Sequence, residues 1–452
     1  MAAALRSSGR PQEHGRLDRW LGLFTDVEAG EGLGALLLAA NICCLLASYY
    51  LLKTARESLI LSEGSAEVKS YAAAVQALIL IVVVPLYGMV ASRVNRNRLI
   101  NGVLLFFVSH LAIFYALVVH GRHVGVAFFV WVGVFNLMIV AQVWAFANDV
   151  YTVERGQRLF PLIGVGGSLG AWLGARIASK AMAAHLQPAD LFILAGGGLL
   201  VCIGLNYCVA WRAVPEAREP VASTSEPLAT AGGFRLVFGD RYLRLIAALV
   251  ILVNAVNTTG EYLLGRLVAA QASRAIAAGT AGAFSESQMI GIIYGDFFGW
   301  VNLVSLTIQL LVVSRLFKRI GVGGALFVLP LIACGSYALF AFLPFLDAVR
   351  VGKILENGTD YSLQNTARHA LYLQTSREAK FKAKQAIDSL SWRVGDLLQA
   401  GLVYVGSRLA FGVRQFALLN EVFVILWIVV VFYIYREHKR QALARDARRR
   451  AA

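Results

Sequence analysis

The feature that most limits how this chain can fold is the length of its apolar runs. The first extends from Gly32 to Leu52, and several others are as long. About 20 apolar residues in a helix cross the ~30 Å hydrocarbon core of a bilayer. Only 15% of the 452 residues are charged, against roughly 25% in soluble domains. The alternating ~10-residue segments of a membrane barrel are not evident. The sequence therefore predicts an all-α polytopic membrane protein.

Apolar runs of this length can be placed twelve times, which predicts twelve transmembrane helices, or spans. They lie near residues 32–52, 70–92, 99–120, 124–147, 159–180, 191–211, 242–264, 288–313, 321–345, 347–372, 385–410 and 415–435. The longest polar stretch between spans contains PEAREPVASTSEP and is typical of a flexible linker. We predict an N-terminal tail at 1–31, a six-helix half at 32–211, a linker at 212–241, a second six-helix half at 242–435 and a basic tail at 436–452.

The basic residues indicate how the chain is oriented. The net charge is +15, and most Lys and Arg residues fall in the two tails and in every second loop. Cytoplasmic loops of membrane proteins carry such an excess. Both termini are therefore predicted to be cytoplasmic, and the charge needs no nucleic-acid partner to explain it.

Short sequence matches relate the two halves. ASRVNR at 91–96 follows span 2, and VSRLFK at 313–318 follows span 8. SYYLLK at 48–53 likewise matches GEYLLG at 260–265. Two six-helix repeats that run in the same direction form the plan of the major facilitator superfamily, whose loop between helices 2 and 3 resembles GMVASRVNR. We therefore predict a major facilitator-like fold with two six-helix halves.

Polar side chains inside the spans concentrate on spans 1, 4, 7 and 10. In a fold of four three-helix units, these are equivalent helices that meet around one central cavity. The candidates are Lys53 and Arg56 in span 1, Asp149 in span 4, Glu261 in span 7, and the stripe Lys353, Asn357, Asp360, Gln364 and Arg368 in span 10. Steps of three and four residues place that stripe on one helix face. Several cations in a cavity indicate an anionic substrate, because Arg matches phosphate and carboxylate oxygens.

Some of these residues have a structural alternative. Lys53 could be an interface anchor, since long side chains reach the headgroups from a helix end. Arg56 is favoured as the cavity residue, with an acid such as Glu261 as its resting partner, so substituting Arg56 is expected to weaken binding more than substituting Lys53. In span 10, Lys353 with Glu356 or Asn357 could form pairs that only hold the bundle together.

Other motifs do not predict an enzyme. Gly166, Gly170 and Gly174, in IGVGGSLGAWLGA, have the four-residue spacing of close helix packing. The stretch lacks the dinucleotide fingerprint and no strand precedes it. No Walker-type glycine loop occurs, and the five Cys and seven His residues form no catalytic or metal-binding set. We therefore predict neither an enzyme activity nor a cofactor.

Three stretches resemble the bacterial and plastid ATP/ADP translocases, and the resemblance covers most of the chain. They are YYLLKTARESLIL, WAFANDVYTVERGQRLFPLIGVGGSLGA and REAKFKAKQAIDSLSWRVGD. The resemblance implies a major facilitator-like fold and exchange of adenine nucleotides across a bacterial inner membrane. The charged binding residues of that family fall here on Arg56 with Glu57, Asp149, Glu261 and Lys384.

The leading hypothesis is a monomeric secondary transporter that exchanges nucleotides of the ATP/ADP type by alternating access. The alternative is a facilitator for another organic anion, with or without proton coupling. The two differ in whether an aromatic ring stacks on adenine beside the cations, for which Tyr50, Trp144, Tyr262 and Tyr361 are candidates. A membrane sensor or enzyme accessory would need a soluble signalling domain, for which the tails and the linker are short.

Overall fold

The computed structural model describes residues 28, 31–91, 93–94, 96–150, 153–212, 233–376 and 378–451. Along the stretches 140–150 and 441–451, only the backbone is described. Most of the predicted N-terminal tail and most of the predicted linker lie outside the described residues.

The regular elements of the described residues are helices. The N-terminal half consists of α1 (Gly32–Glu63), α2 (Ala66–Ala91), α3 (Arg96–Val119), α4 (Gly125–Val150), α5 (Val153–Ala183) and α6 (Asp190–Arg212). A two-turn helix, Gly233–Gly239, precedes the C-terminal half. That half consists of α7 (Arg241–Ala277), α8 (Glu286–Leu311), α9a (Val313–Ala325), α9b (Val328–Phe342), α10a (Leu346–Thr359), a π-helical segment (Asp360–Gln364), α10b (Asn365–Leu371), α11 (Lys384–Arg408) and α12 (Val413–Ala451). A 3-10 turn (Tyr372–Gln374) and a short π-helical turn (Ala379–Ala383) lie between α10b and α11.

Seven helices in the described part of the chain are long and apolar enough to cross a membrane. The pair α9a and α9b, bent by 74°, would make an eighth. The protein is thus a polytopic helical membrane protein. The count of twelve spans stays a prediction, because helices such as α5 and α11 carry charged residues that lower their hydropathy.

The packing of the helices repeats from one half to the other. α1 packs against α5 and α6, and α7 packs in the same way against α11 and α12. The pairs α2–α4 and α3–α6 recur as α8–α10a and α9b–α12. Between the halves, α5 packs against α8, and α2 packs against α11. These two contacts are equivalent, because α5 corresponds to α11 and α2 corresponds to α8 in the repeat. This packing confirms the prediction of two halves that repeat one arrangement of helices.

The predicted role of the glycines in α5 is also confirmed. A Cβ atom added at Gly166, Gly170 or Gly174 would lie 2.5, 2.0 or 2.3 Å from a backbone carbonyl oxygen of α1. Those distances are far below a normal contact, so only glycine lets the two helix backbones approach this closely. The glycine stripe therefore fixes α1 against α5, and with it the position of the charged end of α1.

The halves bind each other near the end of the bundle where α1, α5 and α7 finish. The Ser179 hydroxyl donates to the carbonyl of Ile292 at 3.1 Å, and Gln399 Nε2 donates to Ser70 Oγ at 3.0 Å. Asp296 on α8 accepts from arginines on α5 and α10a, which are Arg176 and Arg350. These contacts lie at the opposite end from the start of α1.

Candidate functional site

The charged part of the first span belongs to one continuous helix, because α1 extends to Glu63. Glu57 is buried, with 1% of its surface exposed. Its Oε1 lies 2.5 Å from a guanidinium nitrogen of Arg56, and its Oε2 lies 2.5 Å from Nζ of Lys69 on α2. One buried carboxylate is therefore shared by two cations. Leaving such a charge without a partner would be strongly destabilising.

Lys53 points from α1 toward the C-terminal half. Its Nζ lies 4.2 Å from the ring centroid of Phe298 on α8. It also lies 3.5 Å from the hydroxyl of Tyr361 in the π-helical segment. Aromatic faces attract a cation, but they do not neutralise it, and Lys53 forms no ion pair with the described residues. Lys53 thus lies at the junction of the halves and carries a charge that an anion could neutralise.

We name this group the inter-half cluster and define it by four charged residues and two rings: Lys53, Arg56, Glu57, Lys69, Phe298 and Tyr361. It holds three cations and one carboxylate. The net positive charge and the adjacent aromatic faces are the chemistry that an anion with a planar ring requires.

Glu261 on α7 has a different partner from the one expected. Its Oε1 accepts a hydrogen bond from Nδ2 of Asn357 on α10a at 2.7 Å. Arg56 instead binds Glu57, the next residue on its own helix. The expected resting pair of Arg56 with Glu261 is therefore wrong in this conformation, because Glu57 reaches the guanidinium without crossing between the halves.

Lys353 does not line the space between the halves. It is fully buried, with 0% of its surface exposed. Its Nζ donates to Asn257 Oδ1 at 2.7 Å and to Glu356 Oε2 at 3.0 Å. The alternative interpretation of Lys353, a structural ion pair within the C-terminal half, is therefore confirmed.

The polar stripe of span 10 changes direction partway along the helix. Asp360–Gln364 is π-helical, and such a bulge adds a residue to one turn, so the following side chains no longer keep an α-helical register. Tyr361, in this segment, meets Lys53. Asp360 lines a cavity inside the C-terminal half with Asn257 and Glu356, the two residues that Lys353 binds. The stripe therefore keeps one face as far as Asp360, and the α-helical register that it assumes ends there.

The remaining candidates lie apart from the inter-half cluster. Lys384 begins α11, with its Nζ 6.0 Å from the ring centroid of Tyr372. Arg368 lies over Trp392, at 5.1 Å, about 10 Å along the helix from Tyr361 by the rise per residue. Both could attract an anion before it reaches the inter-half cluster. The side chain of Asp149 lies outside the described side chains.

Sequence reasoning missed two members of the inter-half cluster, Lys69 and Phe298. Lys69 lies at the start of α2, where a lysine is typical of a membrane interface. The available signal was an acid at the end of one span and a base at the start of the next, Glu57 and Lys69. Phe298 gave no signal, because one aromatic residue in an apolar helix is unremarkable.

Solved transporter structures have a fold similar to this one. The structure is similar to that of the nucleoside transporter NupG, with a TM-score of 0.62 at 13% identity over 89% of this chain and 99% of that one. It is also similar to the POT family transporter PepTSo, with a TM-score of 0.61 at 13% identity over 90% of this chain and 99% of that one. At these identities the likeness establishes the fold alone.

Comparison with curated sequences identifies relatives of the chain, although no family model matches it. ADP,ATP carrier protein 1 of Chlamydia trachomatis is 26% identical over 315 aligned positions, covering 60% of this chain and 57% of that protein. ADP,ATP carrier protein 2, chloroplastic, of Arabidopsis thaliana is 24% identical over 290 aligned positions, covering 56% and 44%. ADP,ATP carrier protein 5 of Rickettsia bellii is 22% identical over 489 aligned positions, covering 90% and 94%.

The chain spans 57%, 63% and 44% of the length of the first three relatives that it matches. These relatives confirm the resemblance to bacterial and plastid ADP,ATP carriers that the three sequence stretches indicated.

Proposed function

We propose that the protein is a secondary transporter that exchanges nucleotides of the ATP/ADP type across the membrane by alternating access. The observation that carries this proposal is the inter-half cluster, which holds three cations, Lys53, Arg56 and Lys69, and a single carboxylate. Nucleotide phosphates carry several negative charges, which Arg and Lys bind through charge-assisted hydrogen bonds. The similarity to ADP,ATP carriers supports nucleotides as the class of anion.

In this proposal each member of the site has its own role. Lys53 binds phosphate first, because it forms no ion pair with the described residues. Arg56 exchanges part of its bond with Glu57 for the ligand. Tyr361, which is 39% exposed, offers a face on which the adenine can stack. Lys384 draws the anion toward the cluster.

Two acids complete the proposed site. Glu261 lies on α7, where Asn357 already binds it, and would face the incoming ligand from the C-terminal half. Asp149 is included because the polar pattern of the spans and the resemblance both indicate it.

The experiment that tests the function is counterflow with the pure protein in proteoliposomes. Vesicles loaded with unlabelled ADP should take up labelled ATP, and vesicles without internal nucleotide should take up almost none. A matched panel of dicarboxylates should give no exchange. Exchange of a carboxylate in place of any nucleotide would replace this proposal with the organic-anion alternative.

We also propose that the protein lies in a bacterial inner membrane with both termini and the 212–241 linker in the cytoplasm. The excess of basic residues in those segments supports this orientation. A cysteine introduced at Ser223 should resist an impermeant thiol reagent in intact cells and react after lysis. Labelling of intact cells at Ser223 would invert the proposed orientation.

One chain supplies both walls of the proposed site, with Lys53 from the N-terminal half and Tyr361 from the C-terminal half. We therefore propose that the transporter works as a monomer. The mass of the protein in lipid nanodiscs should be that of one chain. Counterflow activity per protein should also stay constant as the protein is diluted. Activity confined to a dimeric fraction would contradict it.

A further inference from the structure

A short helix lies across the end of the bundle where α12 finishes. It is the first part of α9a, which is bent by 74° from α9b, while α9b packs against α10a and α12 inside the bundle. Two helical pieces of α9a meet at Gly321, whose φ is 70°, a backbone conformation that glycine adopts readily. Residues 313–320 therefore form a separate helix that lies closer to the membrane plane than to its normal, as interfacial helices do.

This helix has an apolar side and a basic side. The apolar side packs with Leu363 of the π-helical segment and consists of Val313, Leu316 and Phe317. The basic side is exposed and consists of Arg315, Lys318 and Arg319. Residues three and four apart lie on one face of a helix, so the three cations are neighbours. Arg315 donates to the backbone carbonyl of Leu311, but none of the three forms an ion pair within the described residues.

The adjoining part of α12 marks the level of the membrane interface. A Cβ atom at Gly323 would lie 2.9 Å from Cδ2 of Tyr435 and 3.8 Å from Cδ2 of His438, so α9a packs directly on this part of α12. Phe432, Tyr433 and Tyr435 are exposed, at 49%, 41% and 37%. Exposed aromatic residues collect at the height of the lipid headgroups. The helix at 313–320 therefore lies at that height as well.

α12 adds three more exposed cations directly after these aromatic residues. They are Arg436, Lys439 and Arg440, and none of them forms an ion pair within the described residues. The acid among the residues of the two segments, 313–320 and 435–440, is Glu437. We name the six cations the basic rim and define it by Arg315, Lys318, Arg319, Arg436, Lys439 and Arg440. Six cations against one acid leave a strongly positive surface at the headgroup level.

Positive charge at a membrane surface can serve only to orient a loop. Two features of the basic rim go beyond that role. The apolar side of α9a holds its cations at the headgroups, whereas the cations of a solvated loop move away from them. Anionic lipids attract Lys and Arg only within about a Debye length of the surface, roughly 8–10 Å, so this placement makes the charges effective.

We propose that the basic rim binds the phosphate groups of anionic phospholipids in the adjacent leaflet, which is the cytoplasmic leaflet in the proposed orientation. The charge complementarity is direct, because Arg and Lys bind phosphate oxygens through charge-assisted hydrogen bonds. The acyl chains of the lipid extend along the exposed apolar residues of α12. This surface is separate from the inter-half cluster, and the proposal does not depend on nucleotide exchange.

The test measures the binding of phosphatidylglycerol to the purified protein by native mass spectrometry, with phosphatidylcholine as the zwitterionic comparison. The triple variant Arg315→Gln, Lys318→Gln, Arg319→Gln should weaken the binding of phosphatidylglycerol by about 10–100-fold, since each basic residue near an anionic surface changes affinity about fivefold. Phosphatidylcholine binding should not change. The matched control is Arg122→Gln, Arg274→Gln, Arg408→Gln, which removes three exposed cations from the opposite end of the bundle and should keep the native affinity for the tightest phosphatidylglycerol.

Melting temperatures in nanodiscs give a second readout that separates lipid binding from a folding defect. In phosphatidylcholine the triple variant should melt with the native protein, because the three side chains are exposed and form no ion pair within the described residues. Added phosphatidylglycerol should stabilise the native protein more than the triple variant, as a ligand of the folded state must. Native affinity for phosphatidylglycerol in the triple variant, or an equal loss in the control, would overturn the basic rim as a lipid site. Either result leaves nucleotide exchange to be decided by counterflow.

Discussion

Lys53→Gln is expected to weaken nucleotide binding by about 10–100-fold, since one charge-assisted hydrogen bond contributes ~1.5–3 kcal/mol and each ~1.4 kcal/mol is a factor of ten. The reason is that Lys53 lies at the junction of the halves, against Phe298 and Tyr361, and forms no ion pair with the described residues. No ion pair among the described residues therefore competes with phosphate for this ammonium group. Lys53→Arg should recover part of the affinity, because the charge is kept. The dissociation constant of ATP is measured by titration calorimetry, and the counterflow rate is measured on the same variants.

Arg56→Gln should have the smaller effect on affinity. Glu57 already neutralises part of the Arg56 charge, so a ligand gains less from that guanidinium. This reverses the order expected from the sequence. Lys318→Gln removes an exposed lysine from α9a, far from the site, and serves as the matched control. Normal affinity in Lys53→Gln together with a large loss in Arg56→Gln would show that the phosphate binds at Arg56 and that Lys53 is structural.

The architecture could be predicted from the sequence because it depends on features that are local and long. A run such as 32–52 has to be a membrane helix in almost any context. The spacing of Gly166, Gly170 and Gly174 likewise has one physical use, close helix approach, and α1 lies against those glycines. The matches between 48–53 and 260–265 indicated the repeat that the packing of the helices displays.

The site was less predictable because it depends on which neighbour each side chain meets. Periodicity places Asp360 and Arg368 on one helix face, but the π-helical segment that begins at Asp360 breaks the register between them. No sequence pattern predicts such a π-helical segment. The partner of Arg56 also could not be inferred from residue spacing, since plausible helix arrangements can bring either Glu57 or Glu261 close to it. Only the packing of α1 against α2 brings Glu57 between Arg56 and Lys69.

The shared carboxylate leads to the largest expected effect on stability. Glu57→Gln should destabilise the protein by about 3–5 kcal/mol, the range found when one partner of a buried ion pair is removed. The variant leaves Arg56 and Lys69 as neighbouring cations, with only 14% and 11% of their side chains exposed. The melting temperature of the purified protein in detergent is the measurement, with Asp347→Asn as the control for loss of an exposed carboxylate.

A double variant distinguishes the loss of this charge balance from a general defect in packing. Glu57→Gln combined with Lys69→Met removes one negative and one positive charge, and it leaves a single cation near a neutral amide. It should therefore recover part of the stability that Glu57→Gln loses, because contacting residues in one ionic network are not additive. ATP should also raise the melting temperature of Glu57→Gln more than that of the native protein, since a ligand bound to the native state stabilises it and its phosphates would replace the missing carboxylate. If the double variant is less stable than Glu57→Gln, and ATP gives no larger shift, Glu57 stabilises α1 against α2 by packing and does not serve as the counter-charge of the site.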